Sequence, residues 1–289
     1  MKVIKNKNTF RIISAAIMLI GLVMFFINGF NMGIDFTGGT IIEINAGKFI
    51  EVEEAKIIMD EYDNDASIIH GGANKGELII KSTLDLSNTT VNNIISKFAE
   101  EHGINKDNVK SEKFGPTMGK EISEKALLSI TIATIAMLLY ITFRFEWRFG
   151  LGAIIALLHD VIITVAVYAI FKLPINSSFI AAILTIVGYS INDTIVIFDR
   201  IREELRLNPR LTLENIIDNS IHLSIRRTII TTITTLIAVV VLYIVGVEAV
   251  KVLALPLIIG MISGTYSSLF IAPAIWFDFK NRKFIGAAK

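Results

Sequence analysis

The sequence predicts a polytopic α-helical membrane protein with six transmembrane helices and one external α+β domain between the first and second helices. Apolar residues make up 53% of the 289 residues, charged residues make up only 19%, and the mean hydropathy is +0.60. A long polar stretch, Asn31–Glu121, separates the first apolar window from the others. Six windows approach the roughly 20 residues that a helix needs to cross a bilayer: Phe10–Ile27, Ala126–Phe143, Gly150–Phe171, Phe179–Phe198, Thr228–Val245 and Val252–Phe277.

The basic residues near the ends of these windows predict the orientation. Lys and Arg concentrate in the N-terminus, in the loops after the second and fourth windows, and in the C-terminus, whereas the short loops on the other side hold only Lys172 and Lys251. Because cytoplasmic loops are enriched in Lys and Arg, we expect a multi-pass cell-membrane protein with both termini in the cytoplasm. The cytoplasmic segment of residues 203–224 could lie on the membrane or on a partner.

Three parts follow from this arrangement. Residues 1–30 form the cytoplasmic N-terminus and the first transmembrane helix, which we expect to remain uncleaved because no small-residue cleavage site follows its apolar run. Residues 31–121 form the external domain. Residues 122–289 form a five-helix transmembrane domain with a cytoplasmic C-terminus.

The external segment alternates short strand patterns with two amphipathic helices. The strand runs and helices follow the order β-α-β-β-α-β, which is typical of a ferredoxin-like fold. Its 16 Asp and Glu against 9 Lys and Arg fit a solvated surface better than a binding site. The side chains expected in the core of this domain are Val52, Ile58, Ile79, Val91, Ile94 and Phe98.

Several classes of function are excluded by what the sequence lacks. It contains no cysteine, so disulfides and Cys-ligated metals are impossible. Its four histidines do not have zinc-site spacing, and it contains no Walker loop or nucleophile elbow. We therefore expect neither an enzyme of the soluble type, nor a metal or cofactor, nor a nucleic-acid partner.

Asp193 is the most informative residue, because it places a carboxylate inside the fourth apolar window. A charged side chain at the bilayer centre costs about 3 kcal/mol on insertion scales, so such residues usually serve ion or proton movement or pair with another helix. Asp193 is therefore a candidate proton carrier, and the alternative is a fixed contact between helices. Its neighbours Ser190, Asn192 and Thr194 are candidate polar supports.

Two further ionisable residues are candidates for the same relay. Arg227 stands where the loop enters the fifth window, on the same side as Asp193. It could instead be a positive-inside anchor, which is the better interpretation of Arg226. Asp160 lies near the middle of the third window beside His159, and it could belong to the relay or be a packing contact.

Glycines mark two further features. Gly260 and Gly264 have the spacing that lets membrane helices approach closely, so they predict a packing seam within the bundle or between subunits. Gly38 and Gly39 permit backbone conformations that other residues avoid. We expect them to form a hinge or tight junction between the first helix and the external domain rather than a phosphate cradle.

Seven motifs follow one another along nearly the whole chain: Gly33–Thr40, Gly115–Glu121, Tyr140–Phe149, His159–Val161, Gly188–Glu203, Arg227–Thr232 and Gly264–Ser268. Any one of them alone would be a weak signal. Together and in this order they resemble one known family, the SecD/SecF protein-export membrane proteins, within the resistance-nodulation-division (RND) superfamily.

The resemblance implies a protein-transport role. It implies a subunit that binds a SecD-like subunit, acts beside the Sec translocon channel within membrane lipid, and uses the proton motive force to promote export of a translocating polypeptide. It also implies that Arg227 acts with Asp193. Two alternatives stay open: a stand-alone half-transporter that exports lipids or drugs, and a non-transporting assembly factor of the export channel.

Overall fold

The computed structural model describes residues 2–72, 75–144 and 146–286. Six of its helical segments are long and apolar enough to cross a membrane, as the sequence predicted. The sixth segment consists of two helices joined by a π-helical turn, Ser267–Ile271. In chain order the elements are α1 (Lys7–Asn28), α2 (Ile34–Thr37), β1 (Gly39–Asn45), α3 (Val52–Met59), β2 (Ser67–Gly71), β3 (Glu77–Ser82), α4 (Asn88–His102), β4 (Val109–Phe114), α5 (Pro116–Arg144), α6 (Trp147–Ile170), α7 (Ser177–Leu207), α8 (Leu213–Val245), α9 (Glu248–Tyr266) and α10 (Ala272–Gly286).

The helices differ in how deeply they are buried. The apolar windows of α6, α7 and the sixth segment are 56%, 44% and 50% buried, whereas those of α1, α5 and α8 are only 11%, 6% and 11% buried. α6, α7 and the sixth segment therefore form the centre of the bundle. The outer helices expose apolar side chains, which suits contact with lipid.

Helices α7 and α8 both extend beyond the apolar windows. Helix α8 runs without a break from Leu213 to Val245, so the end of the predicted cytoplasmic segment 203–224 continues directly into the fifth span. No Gly or Pro interrupts that stretch, so nothing in the sequence ends the helix. The Thr212 hydroxyl caps its start by accepting a hydrogen bond from the Asn215 amide.

The external domain contains the predicted six elements in the predicted order. Its sheet has the strand order β2-β3-β1-β4 with antiparallel neighbours, which fits the ferredoxin-like arrangement. Helices α3 and α4 contact each other, and their apolar faces share one core with the strands. Ile58, Val91, Ile94 and Phe98 are buried in this core, as expected.

Two residues expected in this core are not part of it. Val52 is only half-buried at the start of α3. Ile79 is half-buried on the opposite face of the sheet, where it pairs with Glu43 and Ile69. Successive side chains of a strand point to opposite faces, and in β3 the inward residues are Leu78 and Ile80.

Candidate functional site

Asp193 is buried within the bundle, and one of its two carboxylate oxygens lacks a hydrogen-bond partner among the described residues. It lies on α7 and is 4% exposed. Among the described residues, no hydrogen-bond donor reaches its Oδ2 atom. The groups that act on this carboxylate come from α8: the Thr232 hydroxyl and the Arg227 guanidinium. Thr232 is itself buried and lies 2.8 Å, oxygen to oxygen, from Thr265 of α9.

Arg227 is close enough to act on Asp193 electrostatically, but it does not contact it. In the part of the chain that the structure describes, no ion pair joins the two side chains. Arg227 is exposed, and it lines a cavity between the ends of α7 and α8. The adjacent Arg226 is also exposed, but it does not line this cavity.

Asp160, unlike Asp193, has hydrogen-bond partners at both of its carboxylate oxygens. It lies on α6, is 1% exposed, and receives donors at both oxygens. Its Oδ2 accepts hydrogen bonds from the hydroxyls of Ser190 at 2.6 Å and Ser267 at 2.7 Å. Its Oδ1 accepts one from Ser263 at 2.9 Å and lies 2.9 Å from Nδ1 of His159. Both oxygens of Asp160 are therefore engaged by neighbouring side chains.

His159 extends this group of residues to the first helix. Its Nε2 atom lies 2.8 Å from the Ser14 hydroxyl of α1, and both residues are buried. Polar contacts therefore link α1, α6, α7 and the sixth segment at one level of the membrane. We call this set the Asp160 network, and its members are Ser14, His159, Asp160, Ser190, Ser263 and Ser267.

The two glycines predicted to form a packing seam lie against α7 of the same chain. A methyl group added to Gly260 would overlap Ile186. One added to Gly264 would lie 3.0 Å from the β-carbon of Ser190. Small residues therefore let α9 approach α7 at the level where Ser190 bonds Asp160.

The three predicted polar supports have different environments. Ser190 belongs to the Asp160 network, and Thr194 lies 2.8 Å, oxygen to oxygen, from Ser268 of the π-helical turn. Asn192 is exposed on another face of α7. The structure also adds residues that sequence reasoning missed, chiefly Ser263 and Ser267. Their spacing of four residues on one helix face was the available signal.

The glycine pair lies where the membrane bundle meets the external domain. Gly38 and Gly39 have φ angles of 76° and 145°. A side chain at Gly39 would overlap the carbonyl oxygen of Ser82. Just before them, the Asp35 carboxylate accepts a hydrogen bond of 2.7 Å from the Ser177 amide and so caps the start of α7. The junction is thus attached directly to the helix that carries Asp193.

The described residues contain no group of three or more His, Cys, Asp or Glu side chains that could hold a metal ion. Separately, the buried Asp193 carboxyl group with Arg227 nearby is chemically compatible with proton exchange. Asp193 has an unoccupied oxygen and a guanidinium nearby, whereas donors occupy both oxygens of Asp160.

Comparisons with known proteins identify one family. The profile described as "Protein export membrane protein SecD/SecF, C-terminal" matches residues 94–282, and the profile described as "SecD/SecF GG Motif" matches residues 23–48. Protein translocase subunit SecF of Helicobacter pylori strain J99 is 36% identical over 91% of this chain and 82% of its own length. SecF of Haemophilus influenzae is 38% identical over 94% of this chain and 84% of its own length.

Solved structures give the same result. The crystal structure of SecDF, a translocon-associated membrane protein from Thermus thermophilus, is similar with a TM-score of 0.79 and 34% identity. It matches 95% of this chain, which spans 38% of the SecDF chain. SecDF in its super-membrane-facing form has a TM-score of 0.75 and 32% identity, and this chain spans 40% of it.

Proposed function

Because the chain belongs to the SecF branch of the SecD/SecF family of protein-export membrane proteins, we propose that it uses the proton gradient to promote export of polypeptides. In this role it acts with a SecD-like subunit beside the Sec translocon channel. The partner is supported by the two similar solved chains, whose names combine SecD and SecF and of which this chain matches about two fifths.

The observation that carries this proposal is the unpartnered oxygen of the buried Asp193, with Arg227 nearby but not in contact. In general, burial favours a neutral carboxyl group and a neighbouring guanidinium favours the carboxylate. A carboxyl group under both influences exchanges a proton when its distance from the guanidinium changes. Relative movement of α7 and α8 therefore couples proton binding at Asp193 to a change in the bundle.

Of the two roles that the sequence left open for Asp160, this proposal takes the packing contact. Its two oxygens accept hydrogen bonds from serines of α7 and of the sixth segment. We assign it a positioning role, in which it holds α6, α7 and the sixth segment together. Asp193 and Arg227 then form the relay.

The external domain transmits this movement in the proposal. Asp35 caps α7, and the glycine pair that follows leads directly into β1. A shift of α7 therefore acts on the domain through a short, tight connection. Gly38 and Gly39 form its junction, where φ angles that side chains disfavour allow the chain to turn.

The proposed orientation places both termini in the cytoplasm of a cell-membrane protein. It is supported by the basic residues near the span ends. It is also supported by ion pairs of Lys7 and Arg11 with Asp278 of α10, which bring the first helix and the end of the sixth segment to one side of the bundle. We call this side the terminal end.

The experiment that tests the proposal is reporter export in vesicles that contain the Sec channel and the SecD-like subunit, with and without an imposed proton gradient. Asp193→Asn keeps the shape of the side chain and removes its titratable proton. We expect it to abolish stimulation by the gradient while the complex still forms. The matched variant Asp160→Asn should instead lower the amount of folded protein, and the surviving protein should keep the stimulation.

Other outcomes distinguish the alternatives. Full stimulation in Asp193→Asn would contradict proton transfer at this residue and favour an assembly factor. Export of lipid or drug probes without the SecD-like subunit would favour a stand-alone transporter.

A further inference from the structure

A second feature lies at the terminal end of the bundle and shares only Arg227 with the relay proposed above. The extensions of α7 and α8 enclose an open cavity of about 1080 Å³. Its charged lining consists of four arginines and two carboxylates. These residues are Arg200, Arg202, Arg206, Arg227, Asp199 and Glu203.

The positive charge of this cavity is only partly neutralised. Arg200 donates to Glu203 at 2.7 Å and lies 3.0 Å from an oxygen of Glu204, so these carboxylates are already engaged. Even so, its buried Nε atom has no acceptor among the described groups. Within the described ranges, Arg202 and Arg206 make no ion pair. Several guanidinium donors therefore face the cavity without an anion.

The cavity borders an apolar surface. Leu223 lines it and is 53% exposed. Towards the membrane interior, Ile230 and Ile233 of α8 are each 50% exposed. A basic cavity thus lies at the end of a lipid-facing helix surface, where phospholipid headgroups and acyl chains meet.

We propose that this cavity binds the phosphate of an anionic phospholipid, with the acyl chains lying along the exposed face of α8. The guanidinium group presents a planar fork of donors that matches phosphate oxygens. Clusters of Arg beside a membrane helix attract anionic lipid by about 1 kcal/mol per residue. The adjoining apolar surface favours a lipid over a free phosphate ion or an acidic peptide.

The test uses the full chain in mild detergent, with phosphatidylglycerol, phosphatidylcholine, inorganic phosphate and polyglutamate as separate probes. Native mass spectrometry counts bound lipid, and thermal unfolding reports stabilisation by each probe. The test variant is Arg202→Gln with Arg206→Gln, which spares Arg227. The matched control is Arg210→Gln with Arg226→Gln, which removes the same charge from exposed residues of the same end that do not line the cavity.

We expect phosphatidylglycerol to bind and stabilise the wild-type chain and phosphatidylcholine to have little effect. In the test variant, binding of phosphatidylglycerol should weaken about tenfold or more, while the control variant should bind as the wild type does. Equal binding by the two double variants would overturn the proposal. So would stabilisation by inorganic phosphate equal to that by phosphatidylglycerol, or stabilisation by polyglutamate alone.

Discussion

Adjacent serines in the π-helical turn allow a direct test of the charge on Asp160. The Ser267 hydroxyl donates to Asp160 at 2.7 Å, whereas the Ser268 hydroxyl pairs with the neutral Thr194 at 2.8 Å. Both serines are fully buried. Ser267→Ala and Ser268→Ala therefore each remove one serine hydroxyl group, and the two variants differ mainly in the charge of the side chain that loses its partner.

The expected magnitudes follow from that difference. A hydrogen bond to a charged group contributes about 1.5–3 kcal/mol, and a neutral one contributes about 0.5–1.5 kcal/mol. Interhelical hydrogen bonds measured in membrane proteins reach at most about 1.7 kcal/mol. We therefore expect Ser267→Ala to lower the free energy of unfolding by about 1.5 kcal/mol and Ser268→Ala by about 0.5–1 kcal/mol.

The assay is reversible unfolding of the chain in mixed micelles, with each alanine variant made in the wild-type and the Asp160→Asn background. Such a double-mutant cycle isolates the interaction between two side chains. We expect a coupling of more than about 1 kcal/mol between Ser267 and Asp160 and little between Ser268 and Asp160. The reasoning is wrong if Ser268→Ala costs as much as Ser267→Ala, or if neither couples to Asp160.

Three further predictions concern the helix seam, the junction and the external domain. Gly260→Ala should lower the unfolding free energy by at least about 1 kcal/mol relative to the control Gly188→Ala, because only the methyl group at position 260 would overlap a packed side chain. Equal stabilities of the two variants in micelle unfolding would contradict this. Asp35→Ala should increase amide hydrogen exchange in the first turn of α7 by about fivefold, since a lost cap costs about 1 kcal/mol; unchanged exchange would exclude the cap. Leu78→Ala should destabilise the external domain by about 2–5 kcal/mol, and Ile79→Ala by less than half as much, as measured by hydrogen exchange of the β1 amides. The reverse order of the two variants would show that the strand faces are misassigned.

Features with a local pattern could be predicted from the sequence. The six spans and the order of the external elements follow from apolar runs and their periods, because burial selects side chains at a fixed spacing. Asp160 and Asp193 stand out for a related reason, since a carboxylate in an apolar window is rare. Their presence in the bundle interior therefore needed no knowledge of the fold.

The partners of these carboxylates could not be predicted in the same way. Ser263 and Ser267 lie 103 and 107 residues from Asp160, so only tertiary packing brings them together. A serine in a membrane helix often bonds its own backbone instead, as Ser129 does with the Lys125 carbonyl. A lone serine therefore does not reveal whether it has a charged partner.

Charged neighbours in the sequence mark the outer face of β3. Leu78, Ile79 and Ile80 form an apolar run in which either face could be the inner one. The charged residues Glu77 and Lys81 lie two positions from Ile79 and so share its face. Their charge identifies that face as the outer one and places Leu78 and Ile80 inside.

The most direct measurement is infrared difference spectroscopy of the complex with the SecD-like subunit during a pH titration. If Asp193 is the group that binds and releases the proton, a protonated-carboxyl band should appear on acidification in the wild type. The band should be absent in Asp193→Asn and should persist in Asp160→Asn. A band that persists without Asp193 and disappears without Asp160 would contradict these roles and identify Asp160 as the proton carrier.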